Sequence, residues 1–450
     1  MAESNNLRSS LLEPSQLAHS IYKLKISILE MQDEEFIVPN TAISGFAIHK
    51  DFINNFFPIL QIKFFTNMIN YHKIQTNRNK IKVKISFEQM ISNGVDATPD
   101  ENAVSILEEC VFQPFGIPND PAVERMTILA KAPTNKEDPT KFNLNDDMEV
   151  NLSLFHLKNL NDNKQMINVI LKECTVIDAI GYILNTANGP TTLLQEPDNT
   201  EQIKPEIFIP PLNLRNSLHY LQKVYGIYKS GLLTFFDWSR LYIMSNAQPK
   251  DLLEEGEYEN VYIDVGVEGS FNNQKGGYYI NDTDKYYLLL CQDAVQYSYA
   301  SNYSKEIDGN VIKSTNFKKI YDSTTYDGAS SFDIKDDTFV ETAVALESHK
   351  ESVDKVFTTY NHLENPYLES ELKYIRQRSN LRLKMAFMGV DISFITPNKN
   401  FNVVFQSKEI DELFGGIYKL VNMDCVGNII NTRGHLSLAT VIELEYFADE

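Results

Sequence analysis

The chain has 450 residues, 43% of them hydrophobic, and a formal net charge of −20 from 41 Lys and Arg against 61 Asp and Glu. That length exceeds what one core supports and implies two to four domains of roughly 100–150 residues. A sequence pI near 4.9 argues against a dedicated nucleic-acid-binding surface, since phosphate binding is carried by Lys and Arg.

Residues 1–18 read as a flexible arm, and the opening MAESNNLRSSLLEPSQ places polar and acidic residues where a signal peptide carries its apolar core. No apolar run nears the roughly 20 residues of a membrane span. The expectation is a soluble protein made in a cytosol. Strand-like alternation starts at Ser20–Leu29, where Ile21, Leu24, Ile26 and Ile28 interleave with Lys23, Lys25 and Ser27. Phe52–Ile69 is dense in Phe and Ile around Pro58, and Lys80–Phe87 alternates again, so an antiparallel sheet is expected. Residues 91–147, with Pro99, Pro114, Pro118, Pro121, Pro133 and Pro139, read as a loop-rich insertion. Strands return at Met148–Leu157 and Gln165–Leu171.

After Cys174 the period changes. Thr175 is an N-cap candidate with Asp178 three residues on, and Val176, Ile180, Ile183 and Leu184 form a helical stripe ending before Asn188-Gly189-Pro190. The stretch Asn213–Met244 organises the rest. Leu214, Leu218, Leu221 and Tyr225 share one helix face after Pro210-Pro211, and Gly226 stops the helix. A turn at Lys229-Ser230-Gly231, the apolar run Leu232–Phe236, a turn at Asp237-Trp238-Ser239 and a strand over Leu241–Met244 then make a hairpin.

Residues 251–350 hold 19 acidic and 8 basic residues and 11 of the 23 tyrosines, which suits exposed strands or a wet interface. A carbohydrate-binding face is the functional alternative for that segment. A helix is expected from Asn365-Pro366, with Leu368, Leu372 and Ile375 as its stripe. Strands are expected over Leu381–Met388, Ile392–Ile395, Phe401–Phe405, Gly416–Cys425 and Leu436–Phe447.

Three of these passages carry a family resemblance. The helix–Tyr–Gly–aromatic hairpin at Asn213–Met244, the preceding helix Thr175-Val176-Ile177-Asp178-Ala179-Ile180-Gly181-Tyr182-Ile183-Leu184, and the closing strands around Gly416-Ile417-Tyr418 occur in one order. In that order the chain resembles phage tail and baseplate hub proteins, which include contractile-phage hubs and the hub half of type VI secretion spike proteins. The likeness covers about residues 19–250 and 351–450; the 91–147 and 251–350 stretches have no counterpart in it.

The resemblance implies a mainly β fold with short helices (α+β). Two tail-tube-like antiparallel β-barrels, 19–172 and 351–450, flank a helix and helix-hairpin middle domain at 173–250 and an acidic Tyr-rich β domain at 251–350. It further implies a structural virion protein of the tail baseplate, assembled in the host cytoplasm. Its partners would be two further copies in a homotrimer, a tail tube protein, a central spike or tail lysin, and other baseplate proteins. A trimer supplying six tube-like units adapts a six-fold tube to a three-fold spike, and DNA passes its lumen without being specifically bound.

Two other classes compete with the hub. A peripheral baseplate or receptor-binding tail protein shares the β content and the tyrosines. A tail-associated cell-wall hydrolase needs two carboxylates held about 5–10 Å apart, and pairs such as Glu254-Glu255 and Asp336-Asp337 lie in polar runs that read as solvated charge. No GxSxG, P-loop or GxGxxG occurs. Cys110, Cys174, Cys291 and Cys425 are scattered without CxxC spacing and read as buried free thiols, and the eight histidines form no HExxH. No catalytic, cofactor-binding or metal residue is therefore expected.

Overall fold

The computed structural model describes residues 18–31, 34–77, 80–93, 104–115, 147–247, 260–266, 278–281, 286–291, 294–298, 365–367, 381–429 and 435–446. It is mainly β with short helices, the expected class. The N-terminal strands are β1 (Ala18–Met31), β2 (Glu34–Val38), β3 (Ile43–Asp51), β4 (Ile59–Asn67), β5 (Lys82–Asn93), β6 (Val104–Phe115) and β7 (Asp147–His156), with α1 (Met68–Thr76) between β4 and β5. Period-2 alternation puts one face of each inward: β4, for example, buries Leu60, Ile62 and Phe64.

Five strands of the middle layer follow: β8 (Ile167–Cys174), β9 (Thr191–Leu194), β10 (Lys204–Leu212), β11 (Leu232–Asp237) and β12 (Arg240–Ser245). Its helices are α2 (Leu157–Lys164), α3 (Val176–Thr186) and α4 (Leu214–Tyr225). The remaining strands are β13 (Asn260–Val265), β14 (Tyr278–Asn281), β15 (Tyr286–Cys291), β16 (Ala294–Ser298), β17 (Leu381–Met388), β18 (Asn400–Phe405), β19 (Gly416–Ile429) and β20 (His435–Tyr446), with α5 (Lys408–Phe414) before β19.

Backbone pairing joins the outer strands into one sheet that closes twice. One ring runs β19-β3-β4-β7-β6-β5-β1-β20 and shuts through the β19–β20 pairing. The other runs β1-β14-β15-β13-β18-β19-β20. The two barrels thus share β1, β19 and β20 as a common wall, with some closures short: β6 meets β7 over Phe112–Phe115 and Ser153–His156, and β1 meets β14 at Ala18 and Tyr278. Strands from 260–291 complete the second ring instead of forming a sheet of their own. That ring is also not purely antiparallel as expected, because β13 pairs in parallel with both β15 and β18.

The seam where β1 meets the second barrel is polar and hydrogen-bonded at Ser20 and Tyr22, while the adjacent His19 Nε2 is buried without a partner among the described residues. Ser20 N–H donates to Gly389 O at 2.8 Å, Tyr22 OH donates to Val390 O at 2.9 Å, and Ile392 N–H donates back to Tyr22 at 3.0 Å. Gln89 Nε2 donates to Ser20 Oγ at 2.7 Å, and Ser20 Oγ is 3.0 Å from Tyr278 OH. Burial pushes the Tyr22 phenol well up, so it stays a neutral donor. In β1 the inward position belongs to Tyr22, fully buried, while Ile21, expected in the apolar set, lies half-buried on the other face. The ring of Tyr22 stacks on Phe87 with centroids 4.9 Å apart, a large apolar contribution that outweighs the smaller isoleucine.

Other expectations are corrected. Residues 91–147 contain the barrel strand β6, which pairs with both β5 and β7; its Pro114 sits one residue from the strand end, where a missing N–H is tolerated. The predicted strand Ile392–Ile395 is a 3-10 turn, Ile392–Phe394, capped by the Asp391 side chain accepting from Ser393 N–H. The strand expected at Gln165–Leu171 exists as β8, yet pairs with β10 outside the barrels. Of the helix expected from Asn365, only the turn at 365–367 falls among the described residues. The arm over 1–17 and the 301–364 stretch lie outside them.

Candidate functional site

The middle layer is built on α4. Asn213 caps it by accepting from Asn216 N–H at 2.9 Å, and the stripe Leu214, Leu218, Leu221 and Tyr225 is buried. Gly226 ends it with φ of 76°, a region open to glycine and costly for L side chains. Past that glycine, the Gln222 side chain accepts from Ile227 N–H at 3.0 Å and Tyr228 N–H at 2.9 Å, and donates to Tyr228 O at 2.9 Å. The aim of the hairpin is thereby fixed from inside the helix. Helix α3 joins this layer through the capping box expected at Thr175 and Asp178.

The hairpin is a partition between two cores. Leu233, Phe235, Tyr242 and Met244 belong to the barrel core, while Phe236, Leu241 and Ile243 belong to the core formed with α3 and α4. Both faces of β11 and β12 are covered, which is why Leu232–Phe236 is an unbroken apolar run in place of an alternating one.

Two buried lysines of the barrel wall clamp this partition. Lys50 Nζ, at the inward end of β3, is 2.5 Å from Asp237 Oδ1, with the side chains 1% and 6% exposed. Lys419 Nζ of β19 donates to Asn246 O at 2.7 Å and also meets Asn246 Oδ1. Lys50 Nζ further lies 5.6 Å from the ring centroid of Trp238, the single tryptophan. Trp238 holds φ of 50°, strain that this contact and stacking near Phe87 at 6.0 Å keep in place. Asn159 Nδ2 of α2 donates to Trp238 O. Beside the clamp, burial pushes the Cys425 thiol up to about 11, which keeps it protonated and inert.

Read from the sequence, Asp237 falls in a turn and Lys419 in a strand, while Lys50 falls in no expected element. A signal existed for one. Phe46, Ile48 and Lys50 share the inward face of β3 at period 2, so an inward lysine demanded a buried partner.

Cys110, Cys291 and Cys425 are buried free thiols, and Cys174 is only half-buried. Among the described residues no three His, Cys, Asp or Glu side chains gather where a metal could bind. Glu254-Glu255 and Asp336-Asp337 lie outside the described residues. The outward face of the β8–β10 ribbon carries an exposed apolar pair, Ile170 and Phe208, directly opposite one another and 54% and 42% exposed, next to the opposed and exposed charges of Lys172 and Glu206.

Residues 11–440 match the family described as bacteriophage PBS1 gene 109 protein. The chain belongs to that family. The course of the PBS1 gene 109 fold is similar to three solved structures. One is the tail protein from Neisseria meningitidis MC58, at 9% identity and TM-score 0.42, over 94% of this chain and 96% of that one. A second is the 43 kDa tail protein of prophage MuSo2 from Shewanella oneidensis, at 8% and 0.38, over 93% and 97%. The third is the E. coli c3393 protein, a component of the type VI secretion system, at 8% and 0.40, over 94% and 77%. No curated protein matches. A bacteriophage family is where the sequence resemblance pointed.

Proposed function

We propose that this PBS1 gene 109 family member is a structural protein of the phage tail baseplate, and that it acts as the hub. In this reading three copies form a ring that meets a six-fold tail tube on one side and a three-fold spike on the other, with DNA passing through the middle. The observation that carries the reading is the pair of fused rings: one chain offers two of them, and three chains offer six.

The barrel interiors support an assembly role over a single-chain channel. They are filled by one continuous core that includes Tyr22, Phe46, Phe87, Tyr278, Phe394 and Tyr418, as small barrels generally are. Any axial passage must then run between copies. An acidic wall would repel phosphates over roughly a Debye length of 8–10 Å, which gives the net charge of −20 a use. The exposed Ile170–Phe208 pair of the β8–β10 ribbon, flanked by Lys172 and Glu206, is a surface that a neighbouring subunit would cover.

Native mass spectrometry with and without the spike and tube proteins tests the reading. A trimer, alone or on addition of either partner, is the expected result, and Phe208→Glu should lower its fraction while leaving the melting of the subunit unchanged. A dimer or tetramer, a trimer whose channel is basic, or antibody labelling at the periphery of particles and not on the tail axis would overturn it. The last outcome would favour a receptor-binding tail protein.

A further inference from the structure

A cleft of about 680 Å³ opens where β6 of the first barrel meets α2, lined by Cys110, Val111, Leu157, Lys158, Asp162 and Ser239 among others. Its walls are apolar at Cys110, Val111 and Leu157. The lining also holds Asp162, which is 2% exposed. Asn159, three residues before it on α2 and so on the same helix face, is fully buried and outside the lining.

Each of these two side chains holds an acceptor atom without a hydrogen-bond partner among the described residues. Asp162 Oδ1 accepts a long bond from Asn188 Nδ2 at 3.3 Å, but Asp162 Oδ2 and Asn159 Oδ1 are buried without a hydrogen-bond partner. Leaving such groups unpaired is costly, more so for a carboxylate. The neighbouring imidazole does not fill the need: His156 Nδ1 accepts from Asn159 N–H at 3.3 Å, and burial pulls its pKa down, holding the ring neutral.

A carboxylate with one long hydrogen bond, set in a mainly apolar slot, suits a ligand with the opposite polarity at its tip and a greasy stem. We infer that the cleft receives the side chain of a lysine or arginine presented by a partner polypeptide, its aliphatic stem along Cys110, Val111 and Leu157 and its cationic head on Asp162. A hard divalent ion fits worse, because it wants six to eight oxygen ligands; the second carboxylate of the lining, Glu109, is already 2.7 Å from Lys84 Nζ. Long cationic side chains are suited to such mixed walls, since they bury their methylenes and keep the head polar. The exposed Lys158 at the rim would oppose an incoming cation and set a weak, reversible affinity. This inference stands apart from the oligomeric reading above.

The test titrates the full-length chain with N-acetyl-lysine methylamide and N-acetyl-arginine methylamide, following the Asn188 side-chain amide by NMR. N-acetyl-norleucine methylamide is the neutral control. Binding by the cationic probes, at least tenfold weaker for norleucine and for Asp162→Asn, is expected. Lys158→Ala, at an exposed position that leaves folding intact, should tighten binding severalfold. Equal binding of norleucine, an unchanged affinity in Lys158→Ala, or no binding at tens of millimolar probe would overturn the assignment. So would tighter binding of putrescine than of either amino acid, which would mark the cleft as a polyamine site.

Discussion

Lys50 Nζ and Asp237 Oδ1 lie 2.5 Å apart across the boundary between barrel wall and hairpin, with almost no access to water. The pair sits one residue from the strained Trp238, so it governs how the middle layer is seated. Removing one partner leaves the other charge buried and alone, which costs on the order of 3–5 kcal/mol, whereas replacing both with apolar residues is often near neutral. Lys50→Met should therefore be strongly destabilising in urea unfolding, and Lys50→Met with Asp237→Leu should recover most of the loss. A double variant no better than the single would show that the pair itself, and not the orphaned carboxylate, matters.

Gly226 carries a second prediction. Besides its φ of 76°, a Cβ there would clash with Asn365 Oδ1, and Asn365 Nδ2 itself caps α4 by donating to Gln222 O at 2.9 Å and Lys223 O at 3.2 Å. Gly226→Val should cost about 1–3 kcal/mol through backbone strain. Asn365→Leu, which keeps the glycine, should cost about 1 kcal/mol from the lost cap. Melting of either variant together with the wild type would refute the capping role.

On the stripe of α4, Leu218 and Leu221 are fully buried. Leu218→Asp or Leu221→Asp places a charge in the inner core and should cost several kcal/mol, more than the roughly 2–5 kcal/mol of the alanine changes. Lys223→Ala, at an exposed position of the same helix, should shift stability by no more than about 0.5 kcal/mol. Circular dichroism melts of the four proteins give the ranking.

His49 and Asp424 face one another across β3 and β19. Hydrogen bonding to the Asp424 carboxylate, with its charge, raises the His49 pKa above the ordinary value near 6.5. Because the folded pKa is the higher one, the stabilisation is complete below pH 6.5 and disappears as pH rises through the raised pKa. His156 and His219 act in the opposite direction, since burial lowers their pKa values and stability falls as pH drops below 6.5. His49→Gln compared with wild type isolates the first effect: the stability difference should be largest at acid pH and vanish at alkaline pH. A difference independent of pH would mean that no proton is involved.

Local signals in the sequence determined much of this protein. Thr175 with Asp178, Asn213, and Gly226 mark helix ends through their own side chains or their lack of one, and these boundaries held. The alternation in β1, β5, β17 and β20 likewise follows from which residues can face a core. What the sequence could not state is which strand lies beside which. The closure of two rings through β19, β20 and one end of β1 brings residues some 400 positions apart into register, and the parallel seating of β13 between β15 and β18 has no local code. The partners of Lys50 and Lys419 belong to the same class: a buried charge announces that it needs a partner, but only the packing of hairpin against barrel decides that the partners are Asp237 and Asn246. The unpaired oxygens of Asp162 and Asn159 are equally invisible in the chain, because their burial is produced by the junction of α2 with the barrel wall and not by α2 itself.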